Sequence, residues 1–169
     1  MTNSPPFLGI KILDVSRILA SPFASAQFAF LGAEVIKVED PEKGDLNRYR
    51  PSNIPKLSED GMSTSFLSQN AGKRSLTLNL REPEGQRIFC SLVKDADVVI
   101  ENLRTGTMER YGLGYEQLRQ LNPRLIYCSV TGFGQDGPYA ERAGYDLMMQ
   151  AMSGMMSITG RPDTVPGGQ

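Results

Sequence analysis

The stretch from Val98 to Asp146 constrains the fold of this chain more than any other. It begins with the apolar run VVIEN at residues 98–102, continues into the helical pattern YEQLRQLN at 115–122, and reaches a second apolar run, LIYCSV, at 125–130. Two short apolar runs on either side of a helix are typical of a β-α-β unit. Ligands of open α/β sheets bind outside the carboxyl ends of the strands, so the loops after both runs are candidate parts of a binding site.

The beginning of the chain predicts a second unit of the same kind. Ile10–Val15 has the pattern of a strand, and Ser21 followed by Pro22 predicts the N-cap and the first position of a helix. We expect this helix to end at Gly32, before a strand at Glu34–Val38. No GxGxxG motif joins the first strand to the helix, which argues against a dinucleotide site.

The rest of the chain continues the alternation of strands and helices. Residues 40–61 are polar and contain several prolines and glycines, so we expect a long loop there. Further elements are predicted as a short helix at 63–69, a strand at 75–80, a helix from 82 to 94 and a methionine-rich helix at 145–153. This order predicts an α/β fold with a Rossmann-like, doubly wound, mostly parallel sheet.

The composition limits the function classes. The net charge of −1 gives no bulk attraction to nucleic acid or to an anionic membrane, so we expect neither as a partner. The most apolar long stretch, Ile18–Leu31, is interrupted by polar residues and Pro22, and no signal peptide pattern precedes it; we therefore expect a cytoplasmic protein. Cys90 and Cys128 are expected to be reduced core thiols. The 169 residues of the chain include no histidine, which excludes Ser-His-Asp and Cys-His catalysis within them, and we expect no metal.

Several long strings resemble one family. They are KILDVSRILASPFASAQFAFLGAEVIKVEDPEKGD, NAGKRSLTLNL, DADVVIENLRTGTMERYGLGYEQLRQLNPRLIYCSVTGFGQDGPYA and AGYDLMMQAMSG. In this order they resemble the class III coenzyme A transferases, a group with formyl-CoA transferase and carnitine CoA-transferase, whose superfamily includes the α-methylacyl-CoA racemases. The resemblance implies that residues 1–169 are the N-terminal CoA-binding part of the large domain, without the small domain and the C-terminal return of the large domain. It also implies an interlocked homodimer.

The resemblance implies a set of residues that bind coenzyme A. Coenzyme A carries a 3′-phosphate and a diphosphate, and the basic pair Lys73 and Arg74 is expected near its nucleotide end. Asn102, Leu103 and Arg110 are expected to contact coenzyme A as well. The other interpretation is a solvated turn for the basic pair, a helix cap for Asn102 and a surface ion pair for Arg110. Arg104 departs from the small residue expected at its position.

The resemblance also implies residues that line the active site. Arg17 is expected at the acyl end, where a guanidinium suits the second carboxylate of a dicarboxylic acceptor; the other interpretation is a surface arginine. Tyr145 stands where the racemases carry a catalytic histidine, and a tyrosine is a poor base for an α-proton at neutral pH. Asp146 is expected at a helix N-terminus as a structural acid, with a role as nucleophile left open.

The activity that the resemblance implies is the transfer of coenzyme A from an acyl-CoA thioester to a carboxylic acid. The nucleophile is an aspartate expected beyond Gln169, and the route passes through an aspartyl anhydride and an aspartyl-CoA thioester. Coenzyme A and acyl-CoA are substrates, and no permanently bound cofactor is expected. Three alternatives stay open: a CoA-binding fragment without catalysis, a racemase-type isomerase, and a purely structural module.

A methionine cluster near the end of the sequence allows two interpretations. Met148, Met149, Met152, Met155 and Met156 fit either ordinary core or an apolar surface meant for the missing half. The second interpretation predicts oligomerisation or poor solubility of the 169-residue chain.

Overall fold

The computed structural model describes residues 4–160, and the chain divides after Val130 into two compact units. The first unit contains five strands: β1 (Lys11–Asp14), β2 (Glu34–Glu39), β3 (Arg74–Thr77), β4 (Val98–Glu101) and β5 (Ile126–Ser129). They form one sheet in the order β3-β2-β1-β4-β5, and all four neighbouring pairs are parallel. The order reverses between β1 and β4, as in a Rossmann-like sheet, so the predicted fold class is confirmed.

Helices connect the strands and continue into the second unit. The first unit has α1 (Ala20–Phe30), a 3-10 helix (Leu46–Tyr49), α2 (Pro55–Glu59), α3 (Thr64–Asn70), α4 (Pro83–Val93), α5 (Thr107–Arg110) and α6 (Tyr115–Leu121). The second unit has α7 (Asp146–Met152) and α8 (Met155–Ile158). Within residues 4–160, no helix has the length and apolar content needed to cross a bilayer.

Two local predictions were wrong. Helix α1 begins at Ala20, with Leu19 at the N-cap, so Ser21 lies buried inside the first turn and does not cap it. The segment 40–61 is not a plain loop, because the 3-10 helix and α2 lie within it. Asp45 caps the 3-10 helix through a hydrogen bond from the backbone N–H of Asn47, and Pro55 begins α2 at a position that suits its fixed φ.

The two faces of the sheet carry separate apolar cores. On one face, Leu13 and Val99 pack with Phe89 of α4 and Leu118 of α6. On the other, Ile12, Val35 and Ile100 pack with residues of α1, including Phe28. Helices on both faces are expected of a parallel sheet, whose strands must be buried on both sides.

The edge strand β5 is less covered than its apolar sequence predicts. Ile126 is 63% exposed, and Cys128, two residues further along the same face, is exposed as well. The prediction of a core thiol is therefore wrong for Cys128. Cys90 is half-buried on α4, and burial raises the pKa of its thiol. Both cysteines are free, as expected.

Helix α4 starts in close contact with the segment that follows β3. Gly85 is buried in its first turn, and a Cβ atom built there would lie 1.9 Å from the backbone oxygen of Asn79. The absence of a side chain at Gly85 therefore sets how closely α4 approaches residues 78–81, which form part of the site described below.

We predict that Gly85→Ala lowers the free energy of unfolding by about 1–3 kcal/mol, because the added methyl group displaces backbone and not a flexible side chain. Ser91→Ala, at an exposed position of the same helix, is the matched control and should leave stability within about 0.5 kcal/mol. Urea denaturation measures both. Equal stability of the two variants would contradict the packing argument.

Candidate functional site

A cavity of about 210 Å³ lies at the carboxyl ends of β1 to β4. Strand β1 leads into it through Val15 and Arg17, and the segments after the other three strands supply the remaining walls. The lining residues are Val15, Arg17, Val38, Glu39, Asp40, Leu78, Asn79, Leu80, Arg81, Leu103, Arg104, Thr107 and Tyr111. Its position next to the point where the strand order reverses is the usual ligand site of an open α/β sheet.

Three guanidinium groups give the cavity its charge. Arg17, Arg81 and Arg104 line it together with the carboxylates of Asp40 and Glu39. Arg81 Nη1 lies 3.4 Å from Asp40 Oδ2, whereas both carboxylate oxygens of Glu39 are bonded to Arg48, which is not among the lining residues. The arginines therefore leave an excess of positive charge, and arginine forks suit phosphate and carboxylate groups.

Asp40 stays ionised beside these arginines. Partial burial tends to raise the pKa of this carboxyl, but the N–H groups of Lys43 and Glu42 and the charges of Arg81 and Arg17 lower it below its ordinary value. Asp40 therefore offers Arg81 a permanent counter-charge, which an incoming anion must displace or share.

The segment after β4 brings one of the predicted residues into the cavity wall and a second next to it. Leu103 lines it directly, and its backbone N–H donates to Glu101 Oε2 at 2.8 Å. Arg110 lies one helical turn from the lining residue Thr107 and donates to its hydroxyl at 2.7 Å. Glu101 is buried, and this burial raises its pKa even though Ser129 and the Leu103 N–H bond to it. Glu101 was not among the predicted site residues, although a carboxylate at the end of the apolar strand VVIE is visible in the sequence.

The basic pair lies elsewhere. The Lys73 side chain is 1% exposed, and its ammonium donates to Asp14 Oδ2, to the carbonyl of Pro22 and to Asn70 Oδ1, each at 2.8 Å. Arg74 is exposed at the start of β3 and pairs at 2.5 Å with Glu34, the first residue of β2. Glu34 lies where the parallel strands begin, whereas the cavity lies at their carboxyl ends. A role of either residue in binding coenzyme A stays a prediction, and neither lines the cavity.

Asn102 directs its side chain at the neighbouring loop. Its Oδ1 accepts the backbone N–H of Arg17 at 2.7 Å, and its Nδ2 donates to the carbonyl of Arg17 at 2.8 Å. The two residues thus link the loops that follow the neighbouring strands β1 and β4. Contact between Asn102 and coenzyme A also stays a prediction.

The sequence did not predict a set of buried charges next to the loop that follows β1. Asp14, Lys37 and Asp45 are each at most 1% exposed. Lys37 pairs with Asp45 at 3.0 Å, and Asp14 pairs with Lys73. The signal was present in β2, whose sequence EVIKVE carries a lysine and a glutamate where a strand buried on both faces is normally apolar.

Tyr145 and Asp146 belong to the second unit. Asp146 is the first residue of α7, as the interpretation of a structural acid expects, and its Oδ2 accepts a hydrogen bond from Gln150 at 2.6 Å. Tyr145 is 65% exposed. Four of the five clustered methionines are exposed on α7 and α8, namely Met148, Met152, Met155 and Met156, which contradicts the interpretation as ordinary core. The expected nucleophile lies beyond Gln169 and therefore outside the described residues.

No group of three or more Cys, Asp or Glu side chains among residues 4–160 could hold a metal ion.

Comparison with known proteins decides the family. The sequence profile described as CoA-transferase family III matches residues 7–168. The chain belongs to this family. This confirms the resemblance carried by the four strings.

Relatives within CoA-transferase family III are close in sequence and in structure. The chain is 50% identical to a succinate–glutarate CoA-transferase of Agrobacterium fabrum, over 97% of this chain and 42% of that protein. It is 46% identical to the human succinyl-CoA:glutarate CoA-transferase, over 95% of this chain and 36% of that protein. A crystal structure of a CaiB/BaiF family protein from Brucella suis superposes with a TM-score of 0.86 at 48% identity, covering 95% of this chain and 42% of that one. The chain thus spans about two fifths of the length of these relatives.

The buried carboxylates predict how stability depends on pH. Burial raises the pKa of Asp14 and of Glu39. At Asp14 the charges of Lys37 and Lys73 and the hydrogen bonds from Lys73 and Ser16 outweigh burial, and at Glu39 the hydrogen bonds and charge of Arg48 and the N–H of Asp45 do so, so both pKa values lie below those of a free carboxyl. A carboxyl whose pKa is lower in the folded state adds stability above its unfolded pKa and loses it as pH falls through the folded pKa.

We therefore expect Asp14 and Glu39 to stabilise the folded state above about pH 5 and to lose this contribution steadily below about pH 4. Glu101, whose pKa is raised, acts in the opposite sense and takes away some stability as pH rises through its folded pKa. Urea denaturation between pH 3 and pH 7 measures this change. Glu39→Gln removes one of the two groups and should flatten the acid limb, at the cost of lower stability at neutral pH. An acid limb identical in the variant and in the unmodified chain would contradict the assignment to Glu39.

Proposed function

We propose that the protein containing this chain transfers coenzyme A from an acyl-CoA thioester to a carboxylic acid, and that these residues supply part of its coenzyme A site. The observation that carries the proposal is the arginine-lined cavity at the reversal point of the sheet in a chain of CoA-transferase family III. The names of the relatives, which describe CoA-transferases acting with succinate and glutarate, support the same activity.

The cavity is too small for the whole of coenzyme A, since sites for drug-sized ligands occupy about 300–1,000 Å³. It suits one anionic portion. We infer that this portion is a phosphate group, because three arginines converge there and because dinucleotide phosphates occupy the same crevice in related sheets. Leu103 and Arg110 then contact coenzyme A beside this group, and Lys73 supports the site from behind through Asp14.

The chemistry we propose uses one carboxylate nucleophile from the part of the protein beyond Gln169. The aspartate attacks the thioester carbonyl of the donor, and CoA leaves as the thiolate, giving an aspartyl anhydride. The thiolate then attacks the aspartyl carbonyl of the anhydride, which releases the donor acid and leaves an aspartyl-CoA thioester. The acceptor carboxylate attacks the aspartyl carbonyl of this thioester and expels the CoA thiolate, giving a second anhydride. The thiolate then attacks the acceptor carbonyl of that anhydride, which forms the new acyl-CoA and releases the aspartate. No redox step and no net hydrolysis occur.

The acceptor we propose is a dicarboxylic acid. Arg17 was expected at the acyl end of the site to bind a second carboxylate, and its place in the cavity beside Arg81 and Arg104 suits any anion. Since one small cavity takes one anionic group, a phosphate and the acceptor carboxylate are alternative occupants.

We also propose that the whole protein is a homodimer and lies in the cytoplasm.

A second candidate function is binding of coenzyme A without turnover by these 169 residues alone. The observation that favours it is that the whole cavity is built from residues 15–111. A racemase-type reaction is disfavoured, because Tyr145 stands at the position of the racemase base and the chain has no histidine.

The first experiment assays the full-length protein that contains this chain. With succinyl-CoA as donor and glutarate as acceptor, we expect glutaryl-CoA and succinate in equal amounts, measured by liquid chromatography and mass spectrometry. Binding of coenzyme A by the full-length protein with no product from a panel of dicarboxylic acids would contradict the transfer activity and leave only the binding site. If the protein shows no binding of coenzyme A and no turnover, the proposal is overturned.

Arginine variants of the same protein identify the occupant of the cavity. If a phosphate binds there, Arg81→Ala and Arg17→Gln each raise the KM for acyl-CoA by about tenfold or more and leave the KM for the acceptor unchanged. If the acceptor carboxylate binds there, the KM for the dicarboxylic acid rises instead. Arg74→Ala tests the basic pair, and Arg87→Ala, on the exposed face of α4, is the control. A tenfold loss with Arg74→Ala alone would contradict the cavity assignment.

A further inference from the structure

The loop after β1 is fixed by side chains and not by backbone pairing. The carbonyl of Ser16 accepts from Lys37 Nζ at 2.8 Å, and both backbone groups of Arg17 are bonded to Asn102. The N–H of Ile18 lies 3.2 Å from each carboxylate oxygen of Asp45, and its carbonyl accepts from Asn47 Nδ2. We call the four residues Lys37, Asp45, Asn47 and Asn102 the loop clamp.

The loop clamp gathers side chains from distant parts of the chain. Lys37 lies on β2, Asp45 and Asn47 lie at the start of the 3-10 helix, and Asn102 follows β4. Between them they satisfy five of the six backbone polar groups of residues 16–18. Such side-chain partners are needed because these residues leave the sheet before α1 begins.

The loop has a conformation that it would not adopt unaided. Ile18 has φ of +71°, the left-handed region, and is the one residue other than glycine with positive φ among residues 4–160. A β-branched side chain is strained there, and such strain persists where the surroundings over-determine the backbone. The loop clamp is such a surrounding.

The ion pair within the loop clamp is an expensive means of adding stability. Lys37 and Asp45 have side chains that are 2% and 0% exposed. Replacing a buried ion pair by apolar residues of similar size is often neutral or stabilising, because both charges lose their hydration on folding. The pair is therefore better explained by what it orients than by the stability it adds.

What it orients is the wall of the cavity. Arg17 lies between the two clamped residues Ser16 and Ile18, and its side chain lines the cavity. We infer that the Lys37–Asp45 ion pair, with Asn47 and Asn102, positions the loop after β1. It keeps Ile18 in its left-handed conformation and so holds the Arg17 guanidinium in the cavity. The binding part of this inference rests on the proposed function, whereas the conformational part does not.

The test uses the full-length protein and a graded pair of double variants. Lys37→Met with Asp45→Asn removes the charges and the donor to Ser16 but keeps an oxygen that can accept the N–H of Ile18. Lys37→Met with Asp45→Leu removes both. If the loop clamp positions Arg17, the affinity for coenzyme A falls by about tenfold or more in the second variant and by less in the first. The urea midpoint of the first variant should not fall, whereas the second also loses the cap of the 3-10 helix and its midpoint should drop.

The matched control neutralises an exposed lysine–aspartate pair. Lys56→Met with Asp60→Asn acts on a pair whose side chains are 74% and 50% exposed on and next to α2, and should leave affinity within about twofold. If coenzyme A affinity and stability fall in parallel in both clamp variants, the ion pair is only structural and the inference is overturned.

A single variant covers the case in which the double variants do not fold. Asn47→Leu keeps a side chain of similar size, leaves the ion pair intact and removes the donor to the carbonyl of Ile18. It also removes Asn47 Oδ1, which is buried without a hydrogen-bond partner among the described residues. We expect a folded protein with weaker binding of coenzyme A.

Amide hydrogen exchange separates failure of this inference from failure of the proposed function. A peptide covering residues 16–19 should exchange about tenfold faster in the clamp variants than in the unmodified protein, whereas peptides from β1 and β4 should not change. Faster exchange with no binding of coenzyme A by the unmodified protein would reject the function and keep the conformational role. Unchanged exchange in residues 16–19 would overturn the positioning role whether or not coenzyme A binds.

Discussion

The pairing of β1 with β2 on one side and with β4 on the other is the constraint on which the site depends. The chain leaves β1 through α1 on one face of the sheet and reaches β4 through α4 on the other. Loops that follow neighbouring strands therefore diverge and leave a crevice between them. This arrangement brings Arg17 next to Asn102, although 85 residues separate them along the chain.

The same region contains most of the buried charge of the first unit. Two ion pairs, Asp14 with Lys73 and Lys37 with Asp45, lie on and beside the central strands, where an apolar core would be the simpler solution. Desolvation makes such pairs costly, and their stabilising effect is small unless they also satisfy other polar groups. Here Lys37 and Asp45 bond to the backbone of the loop after β1, which links the burial of charge to the shape of the cavity.

Membership of CoA-transferase family III gives these features a chemical context. A protein that binds acyl-CoA has to hold several negative charges at one end of a long substrate while it performs chemistry at the other. Under the proposed function, the arginines on the loops after three different strands would bind these charges, because each loop can be placed independently of the others. If the reacting carboxylate lies in the remainder of the protein, as we propose, these residues supply binding and position and not the bond-breaking step.

The sequence by itself determined the fold class, the order of the main elements and the family, because periodic apolar runs and local motifs are short-range properties. It also placed Asp146 at the start of a helix and Leu103 after a strand. It did not reveal that Lys73 faces Asp14, that Arg74 lies at the far edge of the sheet, or that Asp40, Arg81 and Tyr111 share a cavity with Arg17. Only the tertiary structure decided these matters, because the direction and partner of a charged side chain depend on which distant segments the sheet brings within hydrogen-bonding distance.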